Sequence, residues 1–240
     1  MQQQEKFHAL ILNSALTSAN HDAIKPCAFH APVSNFSQAI TLAATFTDKT
    51  LGALPGAQSV FLSDGGDETP LFGLLGSVLG QEGEQAGFFR FSQKKTPSAD
   101  PFLTSVSASF AFSALKLFIG PESCNQPLFA INIPTFGPLN IVTQPEAKLS
   151  TMAFSVDGPI SSSDNAVVYM SGQTLPVTVP ISILISNGGL QEFSASFPFD
   201  YSRSSNGLTV AAVVKGNQKF NSTDTVSAAT VYGPGLIEIG

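Results

Sequence analysis

Glu5-Lys6-Phe7-His8-Ala9-Leu10-Ile11 opens the first periodic stretch of the chain and sets the helical character of the N-terminal half. Phe7, Leu10, Ile11 and Leu16 recur at helical intervals with alanines between them, which predicts a helix from Glu5 to about Ala19. On such a helix Glu5 and His8 are three residues apart and share one face, where a carboxylate and an imidazole can ligate the same metal ion.

Lys25-Pro26-Cys27 breaks this helix. Ser34 or Asn35 can cap a second one, whose stripe of Ile40, Ala43, Ala44 and Leu51 ends before Pro55-Gly56. Thr69-Pro70 suits the first turn of a third helix carrying Leu71, Leu74, Leu75, Val78, Glu82 and Phe89. Asp100-Pro101 opens a fourth through Leu103, Val106, Phe110, Leu115 and Phe118, stopped by Gly120-Pro121.

After Cys124 the pattern changes. Pro127, Pro134, Pro138 and Pro145 mark an extended connector. Beyond it, Met152, Phe154 and Val156 alternate with smaller or polar residues, as do Val177, Val179 and Ile181, and then Phe193, Ala195, Phe197 and Phe199. With Ala166 to Met170, Leu208 to Lys215 and Val226 to Tyr232 this makes six or seven short strands between Gly, Asn, Ser and Pro turns. Such a pattern predicts a small antiparallel sandwich of immunoglobulin or fibronectin type. The expected fold is therefore α+β in two domains: a helical bundle over 1–122, a connector over 123–146 and a β-sandwich over 147–240.

Composition narrows the function. Charged residues are only 12% against 43% hydrophobic, so the polar surface rests on Ser, Thr, Asn and Gln, as in secreted or cell-wall proteins. A net charge of -6 without a dense basic cluster argues against nucleic acid, and no apolar run reaches the length of a membrane span. The polar start Met1-Gln2-Gln3-Gln4 does not read as a signal peptide. Asn35-Phe36-Ser37 and Asn221-Ser222-Thr223 are N-glycosylation sequons that fit a secretory route. Cys27 and Cys124 form no CxxC; a single long-range disulfide is one possibility and two buried thiols another.

Other chemistries find little footing. His21 and His30 lie near Cys27, but a cysteine nucleophile needs a free thiolate beside a base. Ser63-Asp64-Gly65-Gly66-Asp67 lacks the spacing and terminal glutamate of a calcium loop and reads as a turn. The 20 phenylalanines read as core, and three tyrosines without tryptophan supply no evident platform for sugars.

From Gln4 to Val142 the chain resembles the fungal ferritin-like family of stress-response and late sexual development proteins, related to plant desiccation proteins. The resemblance is carried by Glu5-Lys6-Phe7-His8-Ala9-Leu10, Lys25-Pro26-Cys27-Ala28-Phe29, Glu82-Gly83-Glu84-Gln85 with Phe88-Phe89-Arg90, and Ser123-Cys124 before Pro127-Leu128. It implies that Glu5, His8 and Glu82 occupy metal-ligand positions, iron or manganese being the metal, and that Cys27 pairs with Cys124. Gln85 departs from the second Glu-x-x-His, and an amide is a poor ligand for a first-row metal. Phe46 stands where a glutamate is expected, and Asp48, two residues on, faces another way.

The chain also starts at the family's second helix, so the first helix and its glutamate are not matched. Three of about six ligands remain, which points to a vestigial site, no catalytic residues and no cofactor. The implied function is a non-catalytic protein of the fungal secretory or cell-surface route, extracellular or in the cell wall, linked to stress or development through protein interaction. Two alternatives are a di-iron or di-manganese oxidase or catalase-like enzyme, its lost ligands replaced by Asp48, Glu68 or a partner's residues, and an accessory subunit of a secreted oxidase such as a laccase. The groove left by the missing helix requires cover from the connector Asn125 to Pro145, the β domain, a second copy, another protein or an upstream segment.

Overall fold

The structure is a computed structural model that describes residues 1–63, 69–120, 122–124, 131–187, 189–200 and 206–240. Pro121, the turn residues Asp64 to Asp67, Glu68, Asn125, Pro127, Leu128 and Tyr201 lie outside the described residues. The chain is α+β, with five helices and two four-stranded antiparallel sheets among the described residues.

Helices come first: α1 is Gln2–Ser18, α2 Phe36–Ser63, α3 Thr69–Ser92 and α4 Ala108–Lys116. Asn35 Oδ1 accepts from the Gln38 N–H at 2.9 Å, and this bond sets the start of α2. Two helix boundaries differ from the sequence reading. The second helix runs through Pro55-Gly56 to Ser63 instead of stopping before them. An internal proline forfeits one ladder hydrogen bond, and packing of α2 on α3 offsets it, with Leu51, Leu75 and Val78 buried and Gln58 Nε2 donating to Phe72 O at 3.2 Å.

The fourth helix starts at Ala108, not at Asp100-Pro101. Before it, tertiary partners take the backbone and side chains that a helix would need. Val106 N–H donates to Gly52 O at 3.0 Å, Ser105 N–H to Gly172 O at 3.1 Å, Gly172 N–H to Thr104 Oγ1 at 2.8 Å, and the Thr104 hydroxyl to Leu208 O. Ser107 then caps α4, its side chain accepting from Phe110 N–H at 3.2 Å.

The sheets follow. β1 is Asn140–Ile141, β2 Ser150–Asp157, β3 Asn165–Ser171, β4 Val177–Pro180, β5 Ile183–Asn187, β6 Leu190–Phe197, β7 Gly207–Lys215 and β8 Thr230–Ile239, with helix α5, Thr223–Ala229, before the last strand. Strand order is β1-β2-β6-β5 in one sheet and β4-β3-β7-β8 in the other. Within 123–146, β1 already pairs with β2, and Gly137 bridges to Tyr232. Where Val226 to Tyr232 reads as a strand, residues up to Ala229 are helical: Ser222 and Thr225 form a reciprocal capping box that starts α5, and β8 begins only at Thr230.

Register explains the burial. Met152 faces Ala195 and Phe154 faces Phe193, and these with Val167, Tyr169, Val213 and Ile237 form the core between the sheets. Alternate residues of β3 and β7, Ala166, Val168, Met170, Val210, Ala212 and Val214, point the other way. They meet Val106 and Phe110, Phe220, and Val226 of α5. One sheet is thus covered on both faces, which is why β3 and β7 are apolar without alternation. The fourth helix is a cover for this sheet as much as a neighbour of α2, so helices and strands share an apolar layer.

Candidate metal site

Glu5 lies in the first turn of α1, His8 one turn later, and Glu82 on α3. The helices bring one ligand atom from each within 4.8 Å of the other two. His8 Nδ1 is 3.4 Å from Glu82 Oε1 and 3.7 Å from Glu5 Oε2, and it has no hydrogen-bond partner although it is buried. A nitrogen turned toward two carboxylates without hydrogen-bonding either is the arrangement a metal ion would complete. Ligand bonds to first-row divalent ions are about 2.0–2.2 Å, so two ligands of one ion stand at most about 4.2 Å apart, and both separations from His8 are already inside that limit.

Glu82 is buried while Glu5 is half exposed. Burial first, then the charge of Glu5 and a hydrogen bond to it, push the Glu82 carboxyl up to about 7. Two carboxyls that share a proton are a poor resting arrangement and a good one for a divalent cation, whose charge replaces that proton.

Gln85, one turn beyond Glu82, does not face the same point as a ligand. Its Nε2 donates to Glu5 Oε1 at 2.5 Å and to Gln81 Oε1 at 3.3 Å, so it holds Glu5 through the amide's donor side. Phe46 packs edge-on to Phe118 at 5.0 Å, beneath the Lys49 ammonium, 4.2 Å from the ring centroid. Asp48 is hydrogen-bonded to Glu238 of β8, with Arg90 and Lys95 close enough to act on both. It is not in the Glu5, His8, Glu82 group, which is the one three-ligand cluster found among the described residues. A three-residue set of two carboxylates and an imidazole suits one iron, manganese or zinc ion.

No protein-family model and no curated protein matches this chain. The residues themselves therefore carry the functional argument.

Cys27 and Cys124 are joined in a disulfide that closes 97 residues of separation. It is flanked by the Phe29 to Ile119 bridge and by Gly120 N–H to Ala28 O at 2.8 Å, so the loop after α1 is fastened to the chain just beyond α4. His21 and His30 are exposed and serve no cluster. Asn35 and Asn221, the sequon asparagines, are exposed. Tyr169 is buried among Phe154 and Phe197, and burial pushes its hydroxyl far up, so it offers no sugar platform.

The sequence reading missed a second polar group in the interior: Asp48 and Lys49 of α2, Arg90 of α3 and Glu238 of β8. Burial pushes Glu238 up to about 8, the charge of Asp48 adding to it, and pulls Lys49 down to about 8. Glu238 Oε1 is buried without a hydrogen-bond partner, while the carboxyl as a whole is hydrogen-bonded to Asp48. The available signal was scarcity: in a chain with so few charges, a lysine and an aspartate inside an apolar helix demand partners.

Proposed function

We propose that this chain is a non-catalytic, ferritin-like protein of the fungal secretory or cell-surface route, linked to stress or development, that works by protein interaction through α1. The observation that carries the reading is that α1 buries none of its residues, leaving Phe7 64%, Leu10 51% and Ile11 45% exposed on one helix. Isolated exposed apolar residues are ordinary, but a row at helical spacing is the surface that another helix covers. The disulfide fits an oxidising compartment, and the sequons fit the same route.

The metal-binding residues fit this reading as a remnant. With Gln85 turned onto Glu5 and Phe46 on an aromatic neighbour, the three remaining ligands can hold one ion, and the described residues offer no second set for a dinuclear centre. The convergence of Glu5, His8 and Glu82 favours a second reading, a metal-dependent oxidase or catalase-like enzyme. Metal content by mass spectrometry, on protein purified without chelator or nickel, separates the two when joined to an assay of peroxide and oxygen turnover. The proposal expects at most one ion per chain, lost in the Glu5→Ala, His8→Ala double variant, and no turnover. Two ions per chain with turnover abolished by that variant would overturn it.

A further inference from the structure

A cavity of about 700 Å³ opens between α2 and α4, and Glu5, His8 and Glu82 are not among the residues that line it. Its α2 wall is one helical stripe: Phe46, Lys49, Ala53, Ala57 and Val60 recur every three or four residues. Ala111, Phe112 and Leu115 of α4 form the facing wall. Eleven residues separate Lys49 from Val60, so the groove runs about 16 Å along the helix. Its volume lies within the range of small-molecule sites, which are mostly apolar with a few placed polar groups.

Lys49 supplies the charged group. The residue is only 4% exposed, yet its side chain lines the groove, with the Phe46 and Phe118 rings 4.2 and 5.9 Å from Nζ. Glu238 is the carboxyl that acts on it, and Glu238 is itself held toward its neutral form by burial and by Asp48 and also faces Arg90 and Lys95. Desolvation accordingly outweighs the carboxylate's help and pulls the ammonium down to about 8. A buried cation short of negative charge, at one part of an apolar slot, is complementary to an anion with an apolar tail. The acidic residue of the lining has the opposite effect: Asp224, with Val60 and Ser105, borders the slot toward the C-terminal half of α2 and repels an anionic head there.

We propose that the groove between α2 and α4 binds an unbranched carboxylate of the fatty-acid class, its head group on Lys49 and its tail along Ala53, Ala57 and Val60. The stripe of small residues leaves room for a chain, Phe112 and Leu115 of the facing wall give the tail contact area, and Lys49, the cation among the lining residues, sets the direction of entry. A neutral alcohol of the same length fills the slot without answering the charge.

Dodecanoate and dodecanol are the probes, titrated calorimetrically into the delipidated full chain with its disulfide intact. The expected result is one dodecanoate per chain, bound at least tenfold more tightly than dodecanol. Lys49→Met keeps the stem and removes the charge, so it should abolish that preference while leaving dodecanol binding within twofold. Ala57→Phe, which fills the slot away from the buried charges, should weaken both ligands at least tenfold with an unchanged circular dichroism spectrum. Failure of the wild type to bind dodecanoate, equal affinity for acid and alcohol, or unchanged preference in Lys49→Met would each overturn the proposal. If Ala57→Phe bound both probes as well as the wild type, the ligand would sit elsewhere, for instance on α1, and the assignment would be wrong.

Discussion

Replacing Phe110 by Ala tests whether the helices and the sheets unfold as one body. The ring is fully buried on α4, 5.4 Å from Phe136, and it belongs to the cluster that includes Val168 of β3 and Val210 and Ala212 of β7. Truncation leaves a cavity under α4 that the flat face of a sheet cannot collapse to fill, so the cost falls in the usual range for buried Phe→Ala, about 3–5 kcal/mol. Against a typical total of roughly 5–15 kcal/mol this is a large fraction. Urea unfolding should be followed at a helix-sensitive wavelength and by tyrosine signals, since Tyr169 and Tyr232 lie in the sheets and tryptophan is absent. With a slope near 3 kcal/mol/M, both midpoints should fall together by roughly 1–1.7 M. A loss under about 1 kcal/mol would show that α4 only rests on the sheet. A shift in the helical signal with the tyrosine signal unmoved would show that the shared apolar layer does not couple the two parts, and would refute the reasoning.

Two further predictions rest on the interface between α2 and its neighbours. Glu238 is held above the ordinary carboxyl range, so the folded chain keeps a proton that the unfolded chain releases; stability is greatest in acid and declines as pH rises through about 8. Asp48, also raised, acts in the same direction, while Lys49, lowered to about 8, works against the trend only above that pH. Glu238→Gln keeps the hydrogen bond without the ionisation, so its denaturation midpoint should equal the wild type's near about pH 5 and exceed it near about pH 8; identical pH slopes would disprove the shared proton. Gly52→Ala should cost about 2 kcal/mol or more, because a methyl there meets the Thr104 carbonyl and lies 2.6 Å from Val106 Cγ2. A thermal scan showing no loss would mean that the 104–106 segment moves away freely.

Much of the local structure was legible. The 3.6-residue spacing of Phe7, Leu10 and Ile11 and of the Leu75 and Val78 stretch predicts α1 and α3, and the alternation at Met152, Phe154 and Val156 predicts β2. Such signals are local, since a residue's neighbours three or four places away, or two, are fixed by the element itself. The spacing of Glu5 and His8 was legible for the same reason. Local spacing was therefore enough to tell which stretches are helical or extended and which side chains share a face.

The remaining features depend on contacts between distant parts of the chain. Asp100-Pro101 reads as a helix start, but long-range hydrogen bonds from Ser105, Val106 and Gly172 keep residues up to Ser107 out of a helix. Pro55 reads as a stop, but packing on α3 carries α2 past it. Val226 reads as strand because it is β-branched and apolar, yet a capping box upstream and a sheet face below place it on a helix. The convergence of Glu82 on Glu5 and His8, the proton shared by Asp48 and Glu238, and the isolation of Lys49 in an apolar slot all join residues dozens to nearly two hundred positions apart. No periodicity reports such distances; they exist only once the chain has closed on itself, and burial then sets the charges that each site carries.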